Sequence, residues 1–167
     1  MPRSRRSGPA RWRSVRGPDG RERVTSGTPW EPKVGYSRAV RVGSRVHVSG
    51  TTATGPAGAI VGPGDPYRQT VQTLDNIERA LRAAGSSLAA VVRVRIFVTD
   101  IGDFPSIARA LGERFRPIRP TMTLVAVSAL VDPAMRVEIE VEADDPGRPR
   151  ARSARGRRSG RSPRAYK

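Results

Sequence analysis

The residues whose spacing first suggests chemistry are three glutamates near the C-terminal end of the chain. In "MRVEIEVEA", Glu138, Glu140 and Glu142 alternate with apolar residues, and this period of two predicts a β-strand with one buried and one polar face. Carboxylates in such a row usually keep the polar face solvated. A carboxylate that is partly shielded from water can instead act as a general acid or base near neutral pH. The pattern alone leaves both roles open.

The remaining composition excludes several kinds of site. The 167 residues include no Cys, which excludes disulfides, thiolate nucleophiles and Cys-type zinc sites. The one histidine, His47, cannot form a metal-binding cluster, so we expect no metal and interpret it as a strand residue. No apolar run has the length of a membrane span or a signal peptide. We therefore expect a soluble, cytoplasmic protein with no membrane partner.

Charge is distributed unevenly along the chain. The formal net charge is +16, but residues 28–145 hold 14 basic and 13 acidic residues, so most of the excess lies in residues 1–27 and 146–167. Both ends are rich in Arg, Ser, Gly and Pro, and such segments bury too little apolar surface to fold. We predict one folded domain over residues 28–145 between two disordered basic tails. The tails could hold nucleic acid without sequence preference, by neutralising phosphates.

The folded part begins with a predicted hairpin. In "SRAVRVGSRVHVSG", two short alternating runs flank Gly43 and Ser44, a two-residue turn signal. We predict that the valines of both runs point to one buried face: Val40, Val42, Val46 and Val48.

Two amphipathic helices and three further strands follow. Asp65 and Pro66 predict the start of a helix that ends at Gly85, and a second helix ends before Pro117. Strands are predicted for "AVVRVRIFVTD", with Val92, Val94, Ile96 and Val98 buried, and for "TMTLVAV" and "MRVEIEVEA". The order ββαβαββ predicts an α+β fold in which both helices cover one face of a mixed sheet. The other face, which carries Phe97, then needs a partner subunit to cover it.

Several local motifs in this order resemble the RidA/YjgF family. They are "GYSRAV", "VHVSG", "QTLDNIERALRAAG", "VRVRIFVTDIGDF", "RPTMTLVAV" and "VEIEVEA", and together they cover about residues 33–143. The resemblance implies a chorismate-mutase-like fold and a homotrimer with small-molecule clefts between its subunits. It also implies hydrolysis of reactive enamines and imines to keto acids and ammonia, with no metal and no organic cofactor.

The resemblance assigns roles to individual positions. Tyr36 stands where the family tyrosine closes the cleft, and Ser49 and Gly50 stand in a turn whose backbone faces the ligand. Glu138 matches the glutamate that holds the attacking water, so it is the candidate catalytic residue. Met122 stands where active members have an arginine that pairs with the substrate carboxylate.

Met122 changes the chemistry that the resemblance implies. Arginine clamps a carboxylate with two charge-assisted hydrogen bonds, whereas methionine offers only a flexible apolar surface. Because Met122 and Leu124 share one parity of their strand, we expect an apolar cleft wall near Glu138. With no cation nearby, the pKa of Glu138 should then be raised.

Three functional hypotheses stay open at this point. The first is an imine deaminase of altered substrate range that uses Glu138. The second is a non-catalytic trimer that binds a small apolar metabolite in the same clefts. The third is a nucleic-acid-associated protein that acts through its basic tails.

Overall fold

A seven-stranded sheet organises residues 12–146, the part of the chain that this computed structural model describes. The elements in chain order are β1 (Arg13–Arg16), β2 (Glu22–Thr25), α1 (Trp30–Val34), β3 (Ala39–Val42), β4 (Arg45–Thr51), α2 (Pro66–Ala83), β5 (Val91–Val98), α3 (Phe104–Phe115), β6 (Thr121–Ala126) and β7 (Val137–Asp144). Short 3-10 turns at Leu88–Ala90 and Ile101–Asp103 flank β5. The strand order is β1-β2-β3-β4-β7-β5-β6. The β5–β6 pair is parallel and the other pairs are antiparallel.

The core lies between one face of this sheet and the two long helices. Its fully buried side chains include Leu74, Ile77 and Leu81 from α2, Ile107 from α3, and Val46, Val94, Ile96, Val137 and Ile139 from the strands. The predicted start of α2 is confirmed, because the Asp65 carboxylate accepts the Arg68 backbone N–H at 2.9 Å and Pro66 is the first helical residue. No helix within the described range combines the length and the hydrophobicity needed to cross a bilayer.

The α+β class and the mixed sheet are confirmed, but the sheet begins earlier than predicted. Strands β1 and β2 form a hairpin within residues 12–27, which we had assigned to a disordered tail. Gly20, at φ 77°, makes the turn, and Val24 is 1% exposed in the core. Ion pairs of Arg16 with Glu22 and of Arg23 with Asp19 offset the positive charge. The sheet therefore extends beyond the predicted boundary at residue 27, while residues 1–11 and 147–167 of the predicted tails lie outside the described range.

Strand β3 shows the opposite parity to the prediction. The predicted hairpin and its turn at Gly43 are present, but Arg41 pairs with Val46 and shares its buried face, whereas Val42 is 48% exposed. An arginine is tolerated there because every side of its guanidinium finds an acceptor. Arg41 donates to the carbonyls of Ala84, Gly85, Gly43 and Ser44 and pairs with Asp145 at 2.7 Å. The hydrogen bonds of Arg41 therefore determine which residues of β3 are buried, and the alternation of valines does not.

The burial of β5 departs from the prediction at its first residues. Val91 is buried and Val92 is 49% exposed, because the pairing of β5 with β7 shifts between Val91 and Arg93. An extra residue in one strand reverses the parity on one side of the irregularity. From Val94 onward the predicted alternation is confirmed.

The N-terminal hairpin should contribute measurably to stability. Comparing a chain that begins at Trp12 with one that begins at Thr28, we expect the shorter chain to unfold at lower urea concentration. The deletion removes the buried side chain of Val24, and full burial of a valine contributes about 1.5 to 3 kcal/mol. Urea unfolding followed by circular dichroism measures the difference, and equal midpoints would contradict a structural role for the hairpin.

Candidate functional site

The centre of the candidate site is an irregularity in the pairing of β4 with β7. Val48 pairs with Val141 and Thr51 with Ile139, so three steps along β4 span two along β7. Ser49 and Gly50 therefore form a β-bulge, a feature that is common beside active sites because it redirects the strand. The predicted "SG" turn is thus an interruption within a strand.

Gly50 and Glu138 lie in direct contact across this bulge. A Cβ atom built at Gly50 would overlap Oε1 of Glu138 and lie 2.9 Å from its Cδ. Any larger residue at position 50 would have to displace the carboxyl group. The structure thus brings together two of the residues that the sequence assigned to the site.

Glu138 is half-buried on the sheet face that points away from the long helices, where it pairs with Phe97 of β5. Burial raises the pKa of its carboxyl group above the ordinary value of 4.5. The positive charge of Arg38 lowers that pKa and the negative charge of Glu140 raises it, and the net direction is upward. The predicted rise is present, but its predicted cause was incomplete, since a cation does lie nearby.

Arg38 connects the other predicted site residues. Its Nη1 donates to the Gly50 carbonyl at 2.7 Å and to Thr51 Oγ1 at 3.3 Å, and its Nη2 donates to Tyr36 Oη at 2.9 Å. Its Cζ lies 5.3 Å from the centre of the Tyr36 ring. Ser49 lies in the same layer, where its Oγ donates to the carbonyl of Ser37 at 2.8 Å.

Arg38 forms an ion pair with a buried carboxylate that is hydrogen-bonded to the end of the N-terminal hairpin. Glu31, in α1, is 4% exposed, and its Oε1 lies 3.7 Å from Arg38 Nε. Burial alone would raise the pKa of Glu31, but hydrogen bonds from Ser26 and Thr25 and the charge of Arg38 together lower it. Glu31 is therefore a stable counter-ion for Arg38.

Met122 and Leu124 do not face Glu138 within one chain. They pair with Val94 and Ile96 of β5, so they share the face that carries the helices. Glu138 pairs with Phe97, whose side chain is on the other face. Met122 is 46% exposed at the edge of the sheet. The predicted wall of Met122 and Leu124 is therefore not beside Glu138, and the apolar residues on the face of Glu138 include Phe97 and its pairing partner Val125.

The other two glutamates of the alternation have a different environment. Arg95 forms ion pairs with Glu140 and, at 3.8 Å, with Glu142. A shallow cavity of about 210 Å³ lies over these charged residues and His47, and neither Glu138 nor Tyr36 lines it. Within residues 12–146, no group of three or more His, Asp or Glu side chains is placed to hold a metal ion.

Sequence reasoning missed Arg38 and Glu31. Both residues were visible, but Arg38 occupies a strand start where a solvated arginine is ordinary, and Glu31 belongs to a helix of five residues. The available signal was the position of Arg38 two residues after Tyr36, since both then lie on one side of an extended segment.

The comparisons with known proteins agree with this geometry. A model of the family described as Endoribonuclease L-PSP matches residues 27–144. The chain belongs to this family. The predicted RidA/YjgF relationship is confirmed by the crystal structure of Rv2704 from Mycobacterium tuberculosis, described as a member of the YjgF/YER057c/UK114 family. It shares 44% sequence identity and a TM-score of 0.69, over 75% of this chain and 99% of the other.

Two relatives illustrate the range within the family. The uncharacterized protein SCO2049 of Streptomyces coelicolor is 39% identical over 121 residues, which is 72% of this chain and 90% of the relative. The 2-iminobutanoate/2-iminopropanoate deaminase of Capra hircus is 33% identical over 108 residues, which is 65% of this chain and 78% of the relative.

The raised pKa of Glu138 predicts a cost in stability that depends on pH. Below the unfolded-state pKa the carboxyl group is neutral in both states, so it does not lower the free energy of unfolding. The destabilisation appears as the pH rises above that value and is complete above the folded-state pKa. We therefore expect Glu138→Gln to raise the urea midpoint at about pH 8 and to lose most of this gain at about pH 4. Glu78→Gln is the matched control, because Glu78 also has ion-pair partners, in Arg82 and Arg114, and is not among the groups that shift the pKa of Glu138. A lower midpoint for Glu138→Gln at the higher pH would contradict this account of the site.

Proposed function

We propose that the protein hydrolyses reactive imines, with Glu138 as the catalytic acid and base. The observation that carries this proposal is the half-buried Glu138 carboxyl group in contact with Gly50, with its pKa raised above the ordinary value. A carboxyl group of this kind can exchange protons with a substrate near neutral pH. Family membership and the name of the goat relative support the same class of reaction.

The reaction requires two proton transfers that one carboxyl group can perform. Glu138 removes a proton from a water molecule as the oxygen of that water bonds to the imine carbon, and the proton passes to the imine nitrogen. In the resulting carbinolamine, Glu138 takes the hydroxyl proton and gives it to the nitrogen. The C–N bond then breaks, releasing ammonia and leaving a carbonyl group. The two steps together consume one water molecule and need no external oxidant or cofactor.

The substrate range follows from the absence of an arginine at position 122. Met122 offers no hydrogen bond to a carboxylate, and Arg38 already donates to Gly50, Thr51 and Tyr36. We infer that the preferred imines lack an essential carboxylate. Imines of simple ketones or aldehydes fit this description better than 2-imino acids.

The same proposal includes a homotrimer whose clefts lie between subunits. Met122 and Glu138 are on opposite faces of one sheet, so a cleft containing both needs two copies. The face that carries Glu138 also bears Phe97 and Val125, which is 43% exposed. Side chains of this kind favour coverage by another subunit.

A non-catalytic, metabolite-binding trimer is the second candidate. Met122 favours it, because loss of the family arginine weakens turnover of 2-imino acids and leaves an apolar cleft intact. The third hypothesis, a nucleic-acid partner, is weaker, since the described arginines of the hairpin include two that pair with acids.

Ammonia release from freshly generated imines tests the deaminase proposal. We expect wild-type protein to release ammonia faster than buffer from at least one imine without a carboxylate, and Glu138→Ala to abolish the excess. Gly50→Ala should cause a comparable loss, because the new methyl group displaces the Glu138 carboxyl group. Gly112→Ala, in α3, is the control, since its nearest neighbour would lie 3.7 Å away. Ligand binding without ammonia release would favour the non-catalytic alternative.

Met122→Arg should restore activity on carboxylate-bearing imines. A charge-assisted hydrogen bond contributes about 1.5 to 3 kcal/mol, so kcat/KM for 2-iminopropanoate should rise roughly ten- to a hundredfold. Val15→Arg is the control, because Val15 is 62% exposed in β1, far along the chain from both positions. No gain in a correctly folded Met122→Arg protein would contradict the role assigned to this position.

A mixing experiment tests whether two copies share the cleft. The double variant Met122→Arg/Glu138→Ala should be inactive alone, and wild type should turn over 2-iminopropanoate poorly. Trimers refolded from a mixture should be active, because one copy supplies Arg and its neighbour supplies Glu138. An inactive mixture whose mass by light scattering is that of a trimer would show that both residues act within one chain.

A further inference from the structure

Arg38 is a nearly buried cation whose contacts extend from Glu31 to Gly50, the residue against which the Glu138 carboxyl group lies. Its side chain is 11% exposed. One side of the guanidinium faces Glu31, and the other donates to Tyr36 and Gly50. A cation at this depth is costly unless it is paired and hydrogen-bonded. The surroundings of Arg38 meet both conditions.

The hydrogen bond from Arg38 determines what Tyr36 can do. A guanidinium group only donates, so the Tyr36 hydroxyl oxygen must accept, at 2.9 Å. The hydroxyl proton is then left to donate elsewhere, and within the described part of the chain it has no acceptor. The packing of the guanidinium against the aromatic ring, at 5.3 Å, restricts rotation of the side chain. Tyr36 is therefore held as a hydrogen-bond donor.

The second contact of Arg38 fixes the backbone against which Glu138 rests. Nη1 donates to the Gly50 carbonyl at 2.7 Å, within the bulge. A bulge has unpaired backbone groups and therefore tolerates more displacement than a regular ladder. Because Gly50 touches the Glu138 carboxyl group, a shift of the Gly50 carbonyl would also displace the carboxyl group.

The third contact determines the orientation of Arg38 itself. Glu31 lies against Nε and is hydrogen-bonded by the backbone N–H of Ser26 and the hydroxyl groups of Ser26 and Thr25. Thr25 ends β2, so the hairpin is connected to the site through Glu31 and Arg38.

We propose that Arg38, held by Glu31, is a positioning residue for the imine site. It orients Tyr36 as a hydrogen-bond donor to the substrate and fixes Gly50 so that Glu138 reaches the attacking water. This inference rests on the proposed imine hydrolysis for its catalytic meaning. It also restricts the substrate, because the Tyr36 donor needs an acceptor atom, either the imine nitrogen or a neighbouring oxygen.

Kinetics of single and double variants test the coupling of Arg38 to Tyr36. On the imine that wild type hydrolyses fastest, Tyr36→Phe and Arg38→Met should each lower kcat/KM about tenfold, the value of one hydrogen bond. The double variant should lose no more than the larger single loss, because both changes remove one interaction. Arg114→Met is the control, since Arg114 also forms two ion pairs, with Asp75 and Glu78, away from the site. Losses that multiply in the double variant would overturn the proposal.

A titration separates this proposal from the proposed reaction. The pKa of Glu138 can be followed by carbon NMR of its labelled carboxyl group, and Arg38 and Glu140 are the charged groups that act on it. We expect this pKa to be higher in Arg38→Met than in wild type and unchanged in Arg114→Met. An unchanged pKa in Arg38→Met overturns the proposal. A shifted pKa in a protein that hydrolyses no imine shows that Arg38 acts on Glu138 and contradicts the reaction.

A second variant covers the case in which Arg38→Met does not fold. That change leaves the buried carboxylate of Glu31 without its counter-ion, which is destabilising. The variant Glu31→Gln/Arg38→Met removes both charges and should fold, with the same rise in the pKa of Glu138. If it folds and Glu138 titrates as in wild type, Arg38 has no positioning role.

Discussion

Because Gly50 has no side chain, the carboxyl group of Glu138 can lie against the backbone of β4 in the middle of the sheet. The β4–β7 bulge is what places Gly50 there, since a regular ladder would put a different residue opposite this part of β7. Strand β7 itself is central, with β4 and β5 on its two sides, so the backbone that carries Glu138 is held from both sides. The rest of the site depends on this contact, because Arg38 and Tyr36 are arranged around the same glycine.

The burial of Glu138 beside Gly50 also lowers the stability of the fold. A carboxylate on a well-solvated strand face retains its ordinary ionisation, as expected for the edges of antiparallel sheets. Glu138 is partly withdrawn from water, which favours its neutral form. Arg38 limits this effect and, with Glu31, keeps the charges near Glu138 partly balanced. A group that is costly to the fold and yet held in place by a dedicated glycine is a reasonable candidate for chemistry.

Sequence patterns predicted those elements whose determinants are local. The cap at Asp65, the proline at position 66 and the regular alternation in β7 each depend on neighbouring residues, and each is present. The errors arise where a distant partner decides the outcome. Arg41 is buried because the carbonyls of Ala84 and Gly85 and the carboxylate of Asp145 reach it. The N-terminal hairpin is ordered because β3 offers an edge to β2, a contact that composition does not reveal.

The candidate site divides in the same way. Tyr36, Ser49, Gly50 and Glu138 were assigned by resemblance and lie together, because they belong to β4, β7 and the segment leading into β3. Arg38 was missed, since its role depends on Glu31, the Gly50 carbonyl and Tyr36 at once. Met122 and Leu124 were assigned to the wall beside Glu138, but pairing with β5 puts them on the other face. The alternation within β6 shows that Met122 and Leu124 share a face, but it does not show whether Glu138 of β7 lies on that same face.

The guanidinium group of Arg38 is not free to bind a substrate carboxylate. A carboxylate clamp needs two donors that are free and point the same way. In Arg38, Nη1 is occupied by Gly50 and Thr51, Nη2 donates one of its hydrogens to Tyr36, and Nε faces Glu31. An incoming carboxylate would also meet the negative charges of Glu31 and Glu138. Arg38 therefore acts on groups of the protein itself, which leaves Tyr36 as a hydrogen-bond donor and Glu138 as a carboxyl group that a substrate can meet.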